Sequence, residues 1–227
     1  HGLKTDSAQT LHTIFMGNPG TGKTMTARII AGVLYNMGVI SSNKLVETDR
    51  SGLVAGYVGQ TALKTREVIE SALDGVLFID EAYSLALGGG NDFGKEAIDT
   101  LVKLMDDNRD RLVVILAGYY DDMQNFLNQN AGLKSRFPNI IAFEDYTVDE
   151  LLSIAEKMYA ENGYSLSREA AGLLSQAFEN DKKQPHFGNG RYVRNIYEKS
   201  LNSQALRLSR TGAVSANDLS AITADDI

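Results

Sequence analysis

Cysteine is absent from this chain of 227 residues, and proline and histidine each occur only three times. Without cysteine, the chain has no disulfide, no thiolate nucleophile and no cysteine-based metal site. The scarcity of proline, together with 43% hydrophobic and 22% charged residues, is typical of a chain with a real core rather than a disordered one. The histidines are scattered at His1, His12 and His186, which argues against a histidine-rich metal site.

Positive charge is also scarce, since the net charge is -7 and the pI is about 5.0. No overall basic field attracts nucleic acid or an anionic membrane, so neither is an expected partner. The net charge does not exclude a local basic pore. No apolar run approaches the length of a membrane span, and no signal-peptide pattern opens the chain. We expect a cytoplasmic protein, and the abrupt start at His1 suggests a segment cut from a longer one.

The stretch 17–24 reads GNPGTGKT and fits G-x-x-x-x-G-K-[ST], the pattern of a phosphate-binding loop. Its glycines let the backbone turn tightly and approach a ligand, and the freed N–H groups form an anion cradle. Lys23 adds a positive charge for the β- and γ-phosphates, and the Thr24 hydroxyl is placed to bind Mg²⁺. The predicted nucleotide-binding residues here are Asn18, Pro19, Gly20, Thr21, Gly22, Lys23, Thr24 and Met25.

The surroundings of this loop match what the motif requires, a strand before it and a helix after it. Residues 11–16 form a short apolar run that predicts the strand, and Gly38 lies where the following helix should end. The residues that recur at helical spacing between them are Met25, Ile29, Ile30, Val33, Leu34 and Met37. This context favours a phosphate site over a glycine-rich turn that binds nothing.

A second motif, at 75–81, places two carboxylates directly after an apolar run. Four consecutive apolar residues predict a strand buried on both faces, as in a parallel sheet, and such sheets bind ligands at the carboxyl ends of their strands. Asp80 is predicted to hold Mg²⁺ through water, and Glu81 to orient and deprotonate the attacking water. A solvated strand end is the alternative, but the phosphate loop favours one shared metal–nucleotide site.

Strands alternate with helical patterns through about residue 145, with further strands predicted at 44–48, 112–118 and 139–143. This predicts an α/β fold, the parallel five-stranded sheet of a P-loop NTPase with flanking helices. From Thr147 onward a capping box and amphipathic patterns predict helices, and residues 215–227 predict a short strand or turn followed by a small helix. We therefore predict a nucleotide-binding domain over 1–145, followed by a small helical domain over 146–227.

The order of these features resembles the AAA+ ATPases over nearly the whole chain. The resemblance is closer to the CbxX/CfxQ group, which includes the red-type Rubisco activases and the sporulation protein SpoVK. The nucleotide motifs are shared by all P-loop ATPases, so AGYVGQT and ILAGY are the more specific segments. The segments that carry the resemblance are GNPGTGKT at 17–24, AGYVGQT at 55–61, VLFIDEAY at 76–83, LVVILAGY at 112–119 and GRYVRN at 190–195.

The resemblance implies that the helical domain over 146–227 is a lid, and it implies further functional residues. Tyr57 would lie on a pore loop that grips a threaded polypeptide, although from spacing alone a buried aromatic is an equal alternative. Residues 88–94 would form a second pore loop. Arg136 would be an arginine finger that reaches the nucleotide of a neighbouring subunit, with a surface arginine as the alternative. Arg191 would be the lid arginine that contacts nucleotide, and Arg194 is the alternative at (i, i+3).

The chain also departs from the family pattern. Many AAA+ proteins end the fourth strand with a polar Asn or Thr, and here the matching position is Tyr119. Its hydroxyl is a candidate for positioning water, and a vacant role is the alternative. The segment that usually precedes the phosphate loop and contacts adenine is mostly absent, which puts adenine specificity and ring formation in doubt.

The function implied by the resemblance is Mg²⁺-dependent hydrolysis of ATP to ADP, coupled to remodelling of a protein client by a homo-oligomer, a ring hexamer. A role like that of a Rubisco activase, or one in sporulation, follows from the same resemblance. One alternative is a nucleotide-gated binding module with little turnover, which would need neither Glu81 nor Arg136. Another is a DNA-directed motor, which the acidic pI disfavours.

Overall fold

The computed structural model describes residues 10–57, 59–88, 93–210 and 215–227. Their contacts divide them into two units. The first unit contains the described residues up to Gly17 together with Lys23–Phe143, and the second contains Asn18–Gly22 and Glu144–Ile227. The five middle residues of the predicted phosphate loop therefore group with the C-terminal part of the chain.

The sheet of the first unit has five strands: β1 (Thr13–Gly17), β2 (Leu45–Thr48), β3 (Gly75–Ile79), β4 (Leu112–Gly118) and β5 (Asn139–Phe143). All of its pairings are parallel, and the order is β2-β3-β4-β1-β5. The predicted five-stranded parallel sheet is confirmed. Because β1 and β3 both pair with β4, the segments that follow these two strands emerge at the same edge of the sheet.

Helices cover both faces of this sheet, which explains why every residue of β3 and β4 is buried. Ile14 and Ile79 face one side and Phe15 and Phe78 the other, as the twofold alternation of strands requires. The helices of the first unit are α1 (Lys23–Asn36), α2 (Arg50–Leu53), α3 (Thr61–Ala72), a 3₁₀ helix (Ala82–Ala86), α4 (Gly94–Asp107), α5 (Tyr120–Gln129) and α6 (Ala131–Lys134).

Helix α1 buries a different stripe from the one that its largest apolar residues suggest. Ala27 and Ala31 are buried with the side chains of the sheet, and Ile30 and Leu34 pack partly against them. Small residues at this seam let the helix approach the strands closely. The large residues at (i, i+4) spacing on the neighbouring stripe are exposed, namely Met25, Ile29, Val33 and Met37.

The second unit is mainly helical and has a core that includes Tyr159, Phe178 and Val193. The predicted capping box is confirmed, since Thr147 Oγ1 accepts from the Glu150 backbone N–H at 3.2 Å and Glu150 Oε2 accepts from that of Thr147 at 2.7 Å. The elements of this unit are α7 (Val148–Glu161), β6 (Ser165–Leu166), α8 (Arg168–Asp181), α9 (Asn189–Ser209), α10 (Ala216–Ser220), β7 (Ala221–Ile222) and a 3₁₀ helix (Ala224–Asp226).

β6 and β7 form a small parallel sheet. The short strand or turn and the small helix predicted within 215–227 correspond to β7 and the 3₁₀ helix after it, whereas β6 was not predicted, because a strand of two residues is too short to show an alternating pattern. Among the described residues, no helix combines the length and the apolar character needed to cross a membrane.

Candidate active site

The start of the predicted phosphate loop is fixed within the first unit. A Cβ on Gly17 would overlap the carbonyl oxygen of Phe143 on the neighbouring strand, so only glycine fits at this position. Lys23 is the first residue of α1, and its Nζ donates to the carbonyl oxygen of Gly17 at 2.7 Å. The ammonium group is thus held close to the carboxyl end of β1, and the half-buried Thr24 follows it in the first turn of α1.

The two carboxylates of the second motif lie at the same edge of the sheet as this lysine. Ile14 of β1 and Ile79 of β3 pair with Leu116 of β4 from opposite sides. Asp80, one residue past Ile79, is therefore level with the residue after Ile14. Two strand spacings of about 4.8 Å separate β1 from β3, so the backbone of Asp80 lies about 10 Å from β1.

A turn directly after β3 orients both carboxylates. The Asp80 backbone N–H donates to Thr48 O at 2.8 Å, which continues the pairing with β2, and Asp80 Oδ1 accepts from the Glu81 N–H at 3.0 Å. Glu81 has φ 46° and ψ 43°, a left-handed conformation that is costly for a residue with a side chain. Such conformations cluster at functional sites, and this one sets the direction of the exposed Glu81 side chain.

Two tyrosines lie beside these carboxylates. The rings of Tyr83 and Tyr119 pack with centroids 5.7 Å apart, and a Cβ on Gly118 would come within 2.8 Å of Tyr83 Cδ1. Burial, and then the negative charge of Glu81, raise the pKa of Tyr83 to about 12, so its hydroxyl stays protonated at neutral pH. Tyr119 remains a candidate for positioning water. The sequence analysis did not single out Tyr83, although it lies only two residues after Glu81.

The oxygen donors near this edge suit Mg²⁺ bound together with a nucleotide. Among the residues that the structure describes, no cluster of three or more acidic, histidine or cysteine side chains could hold a metal by itself. Mg²⁺ is usually held by one or two carboxylates together with substrate phosphates and water. The Asp80 carboxylate and the Thr24 hydroxyl fit that donor set.

The middle of the loop belongs to the second unit and also requires glycine. Gly20 and Gly22 have φ values of +72° and +90°. A Cβ on Gly20 would overlap the carbonyl oxygen of Gly188 and come within 2.6 Å of the backbone nitrogen of Arg191. The loop backbone therefore packs directly against the residues that begin α9, and the amide of Asn18 donates to the Asp145 carboxylate at 3.0 Å.

Both candidate lid arginines are exposed on α9. Arg191 lies in the first turn of the helix, where its backbone is close to Gly20, and Arg194 follows three residues later. The position of Arg191 favours it over Arg194 as the arginine that contacts nucleotide, and this role stays a prediction.

Arg136 lies just past α6 in the first unit and is held by an acidic partner. Its Nε donates to Asp106 Oδ1 at 2.8 Å, a second nitrogen donates to Asp106 Oδ2, and a third bond reaches the Gly132 carbonyl at 2.8 Å. Hydrogen bonding to Arg136 lowers the pKa of the Asp106 carboxyl. The guanidinium is thus ordered within one chain, and its side chain is 29% exposed.

Tyr57 is 74% exposed, so it is not a buried aromatic, and its role on a pore loop stays a prediction. The segment leading to it is anchored on α3: Thr65 Oγ1 donates to Leu53 O, Thr61 Oγ1 accepts from the Ala55 N–H, and Lys64 Nζ donates to Val54 O. Val58, and residues 89–92 of the predicted second pore loop, lie outside the described residues.

Comparison with known proteins agrees with this arrangement. Residues 13–145 match the family described as "ATPase family associated with various cellular activities (AAA)", and residues 147–227 match the AAA lid domain. Stage V sporulation protein K of Bacillus subtilis (strain 168) is 49% identical over 229 residues, which cover 100% of this chain and 71% of that protein.

The plasmid protein CbxX of Cupriavidus necator is 44% identical over 223 residues, 97% of this chain and 70% of that protein. The crystal structure of the FIGL-1 AAA domain in complex with ADP shares the fold at a TM-score of 0.65 and 19% identity, covering 96% of this chain and 70% of that one. The chain therefore belongs to the AAA family of P-loop ATPases, within its CbxX/CfxQ group, and is an ATP hydrolase.

Proposed function

We propose that this ATPase uses Mg²⁺-dependent ATP hydrolysis to remodel a protein client, and that it works as a closed homo-oligomeric ring, a hexamer. The observation that carries the proposal is the exposed Tyr57 at the end of a segment anchored on α3, in the same unit as Asp80 and Glu81. An aromatic side chain that is exposed on a fixed base can bind a polypeptide without sequence specificity.

The residues of the sheet edge divide the chemistry among them. Lys23 binds the β- and γ-phosphates, while Thr24 and Asp80 would hold Mg²⁺. When bound, the metal ion would neutralise part of the phosphate charge. Glu81 accepts a proton from the attacking water, and its left-handed backbone fixes the side chain for that task.

Arg136 completes the site of a neighbouring copy in this proposal. A guanidinium delivered to the γ-phosphate stabilises the charge that develops in the transition state. A head-to-tail contact that uses different surfaces on the two partners generates a ring when the rotation closes, which fits an arginine supplied from one copy to the next.

Substitution of Tyr57 tests the client-binding part. With casein as an unfolded protein probe, we expect casein to stimulate ATP turnover by the wild-type chain and by Tyr57→Phe. Tyr57→Ala should lose most of the stimulation, about fivefold or more, because the aromatic ring that the bound client would cover is removed.

Tyr35→Ala is the matched control, since Tyr35 is also exposed in the first unit and lies on α1. Equal stimulation of Tyr57→Ala and the wild type would contradict the proposal. So would an equal loss in Tyr35→Ala, because the loss would then not depend on the segment at Tyr57.

A further inference from the structure

Three successive carbonyl groups of the phosphate loop accept hydrogen bonds from later residues of the second unit. The side-chain amide of Asn189 donates to Pro19 O at 3.4 Å, and the backbone N–H of Gly190 donates to Gly20 O at 3.1 Å. The hydroxyl of Tyr146 donates to Thr21 O at 3.2 Å. We call the four residues Asp145, Tyr146, Asn189 and Gly190 the loop clamp.

These bonds determine where the amide groups of the loop point. In a trans peptide unit, the C=O and the N–H of the next residue point in opposite directions. With the carbonyls of residues 19–21 turned toward the clamp, the N–H groups of Gly20, Thr21 and Gly22 are turned away from it. An anion requires this arrangement, since N–H groups attract a phosphate and carbonyl oxygens repel it.

Asn189 is suited to the centre of the clamp. Its residue is fully buried, and its backbone has φ 46°, a left-handed conformation that asparagine tolerates better than most residues. Its Oδ1 accepts from the Tyr146 N–H at 2.9 Å, and the two hydrogens of its Nδ2 are donated to Asp145 Oδ1 at 2.7 Å and to Phe187 O at 3.0 Å. The longer bond to Pro19 O therefore shares one of these hydrogens. Only an amide side chain donates and accepts in this way at once.

Within the clamp, the carboxylate of Asp145 is the group that contacts the start of the loop. Its two oxygens accept from the amide of Asn18 at 3.0 Å, while Oδ1 also accepts from Asn189. Thr21 Oγ1 in turn donates to Asn18 O at 2.8 Å. The side chain of Asn18, which the sequence analysis assigned to nucleotide binding, therefore participates in holding the loop.

We propose that Asn189 and Asp145 are positioning residues for nucleotide binding: they orient the carbonyls of the loop so that its N–H groups face the phosphate chain of a nucleoside di- or triphosphate. The inference rests on the proposed phosphate-binding role of the loop and adds to it the residues that preorganise it. It assigns no direct contact with nucleotide to either side chain.

Asn189→Gly is the most informative variant, because glycine adopts the left-handed backbone without strain and removes only the amide. We expect the Kd for fluorescently labelled ADP with Mg²⁺, and the KM for ATP, to rise about tenfold, the scale of one or two hydrogen bonds to polar groups. The kcat should change less than about threefold, because the clamp acts on ground-state and transition-state binding alike.

Ser200→Ala is the matched control. It removes another buried hydrogen bond of the second unit, between Tyr159 Oη and Ser200 Oγ at 2.6 Å, without touching the loop. We expect a lowered Tm and an unchanged Kd. Equal weakening of ADP binding in both variants would overturn the proposal, since general destabilisation of the unit would then explain it.

Lys23→Ala distinguishes a failure of the proposed phosphate loop from a failure of the proposed clamp. If Lys23→Ala binds ADP as the wild type does, the proposed phosphate loop is wrong. If Lys23→Ala loses binding while Asn189→Gly binds within about twofold of the wild type, only the clamp is wrong. Should Asn189→Gly fail to fold, Asp145→Asn is the deciding variant. It keeps the shape of the side chain but places an NH₂ group against the amide of Asn18 or Asn189. An unchanged KM for ATP in this variant would overturn the inference.

Discussion

Replacement of Arg136 by alanine separates a catalytic arginine from a structural one, because the two roles predict effects of very different size. The ion pair of Arg136 with Asp106 is partly exposed, with side-chain exposures of 29% and 55%. Pairs of this kind stabilise a protein by about 0.2–1 kcal/mol. Against a typical stability of about 5–15 kcal/mol, that loss leaves almost all of the chain folded.

An arginine finger predicts a much larger effect on catalysis. In related nucleotidases such an arginine accelerates hydrolysis by about 10³–10⁵. We expect the kcat of Arg136→Ala to fall by at least about 100-fold, a decrease too large to result from unfolding. Specific activity of the wild type should rise with protein concentration, because the arginine is supplied by a second copy.

Arg111→Ala provides the matched control for the ion pair. Arg111 makes the same two-bond contact with Asp74, at 2.8 and 2.7 Å, in the same unit. We expect this variant to keep the wild-type kcat while losing a comparable, small amount of stability. Steady-state ATP hydrolysis across a concentration series, together with urea unfolding, measures both quantities.

Mixing two inactive variants tests whether the site is shared between copies. An equal mixture of Arg136→Ala and Glu81→Gln leaves about one quarter of head-to-tail interfaces with both groups intact. We expect the mixture to regain up to that fraction of activity. Full activity of Arg136→Ala alone, or no recovery in a mixture that assembles as the wild type does, would refute the proposed finger.

Three further substitutions test the proposed catalytic base and two buried titratable side chains. Glu81→Gln should lower ATP turnover by about 10²–10⁴ while the Kd for ATP stays unchanged, with Glu67→Gln as the exposed control; unchanged turnover would contradict the assigned base. Burial lowers the pKa of His12 to about 4, below its unfolded value of about 6.5. The free energy of unfolding should therefore have its full value above pH 6.5 and fall by up to about 3 kcal/mol toward pH 4. Urea unfolding across this range should show a flatter profile for His12→Asn, and parallel profiles would contradict the assignment. Asp226 has a fully buried side chain paired with Arg207, and Asp226→Asn should cost about 2 kcal/mol at pH 7 in urea unfolding followed by circular dichroism, whereas a loss under about 0.5 kcal/mol would contradict a stabilising pair.

The central strands of the first unit could be predicted because parallel strands covered on both faces are continuously apolar. β3 and β4 are the clearest cases, and all of their residues are buried. The carboxylates Asp80 and Glu81 were recognised because they interrupt such a run abruptly. The left-handed backbone of Glu81 could not be predicted, since nothing in the residue type requires it.

Helix α1 shows where periodicity reaches its limit. The pattern identified a helix correctly, but it could not say which of two neighbouring stripes faces the sheet. Close packing selected the stripe with Ala27 and Ala31, and the larger Met25 and Ile29 were left exposed. Side-chain size alone would have predicted that Met25 and Ile29 are buried and that Ala27 and Ala31 are exposed.

The loop clamp was invisible in the sequence for a different reason. Asn189 is one asparagine between two glycines, and its contact with Pro19 spans 170 residues of chain. Only the fold brings together a left-handed asparagine, a carboxylate and the loop carbonyls. No local pattern distinguishes such a residue from an ordinary turn asparagine.

These sequence separations also bear on how the protein is made. The GNPGTGKT stretch leaves the ribosome well before its partners, since β1 pairs with β4 and β5, which are synthesised about 100 and about 125 residues later. Its middle residues wait longer still, until Asn189 and Gly190 have emerged. A nascent chain therefore carries the complete GNPGTGKT stretch, without the contacts that shape it, while about 170 further residues are synthesised, so the capacity to bind nucleotide should appear only after Asn189 has been made.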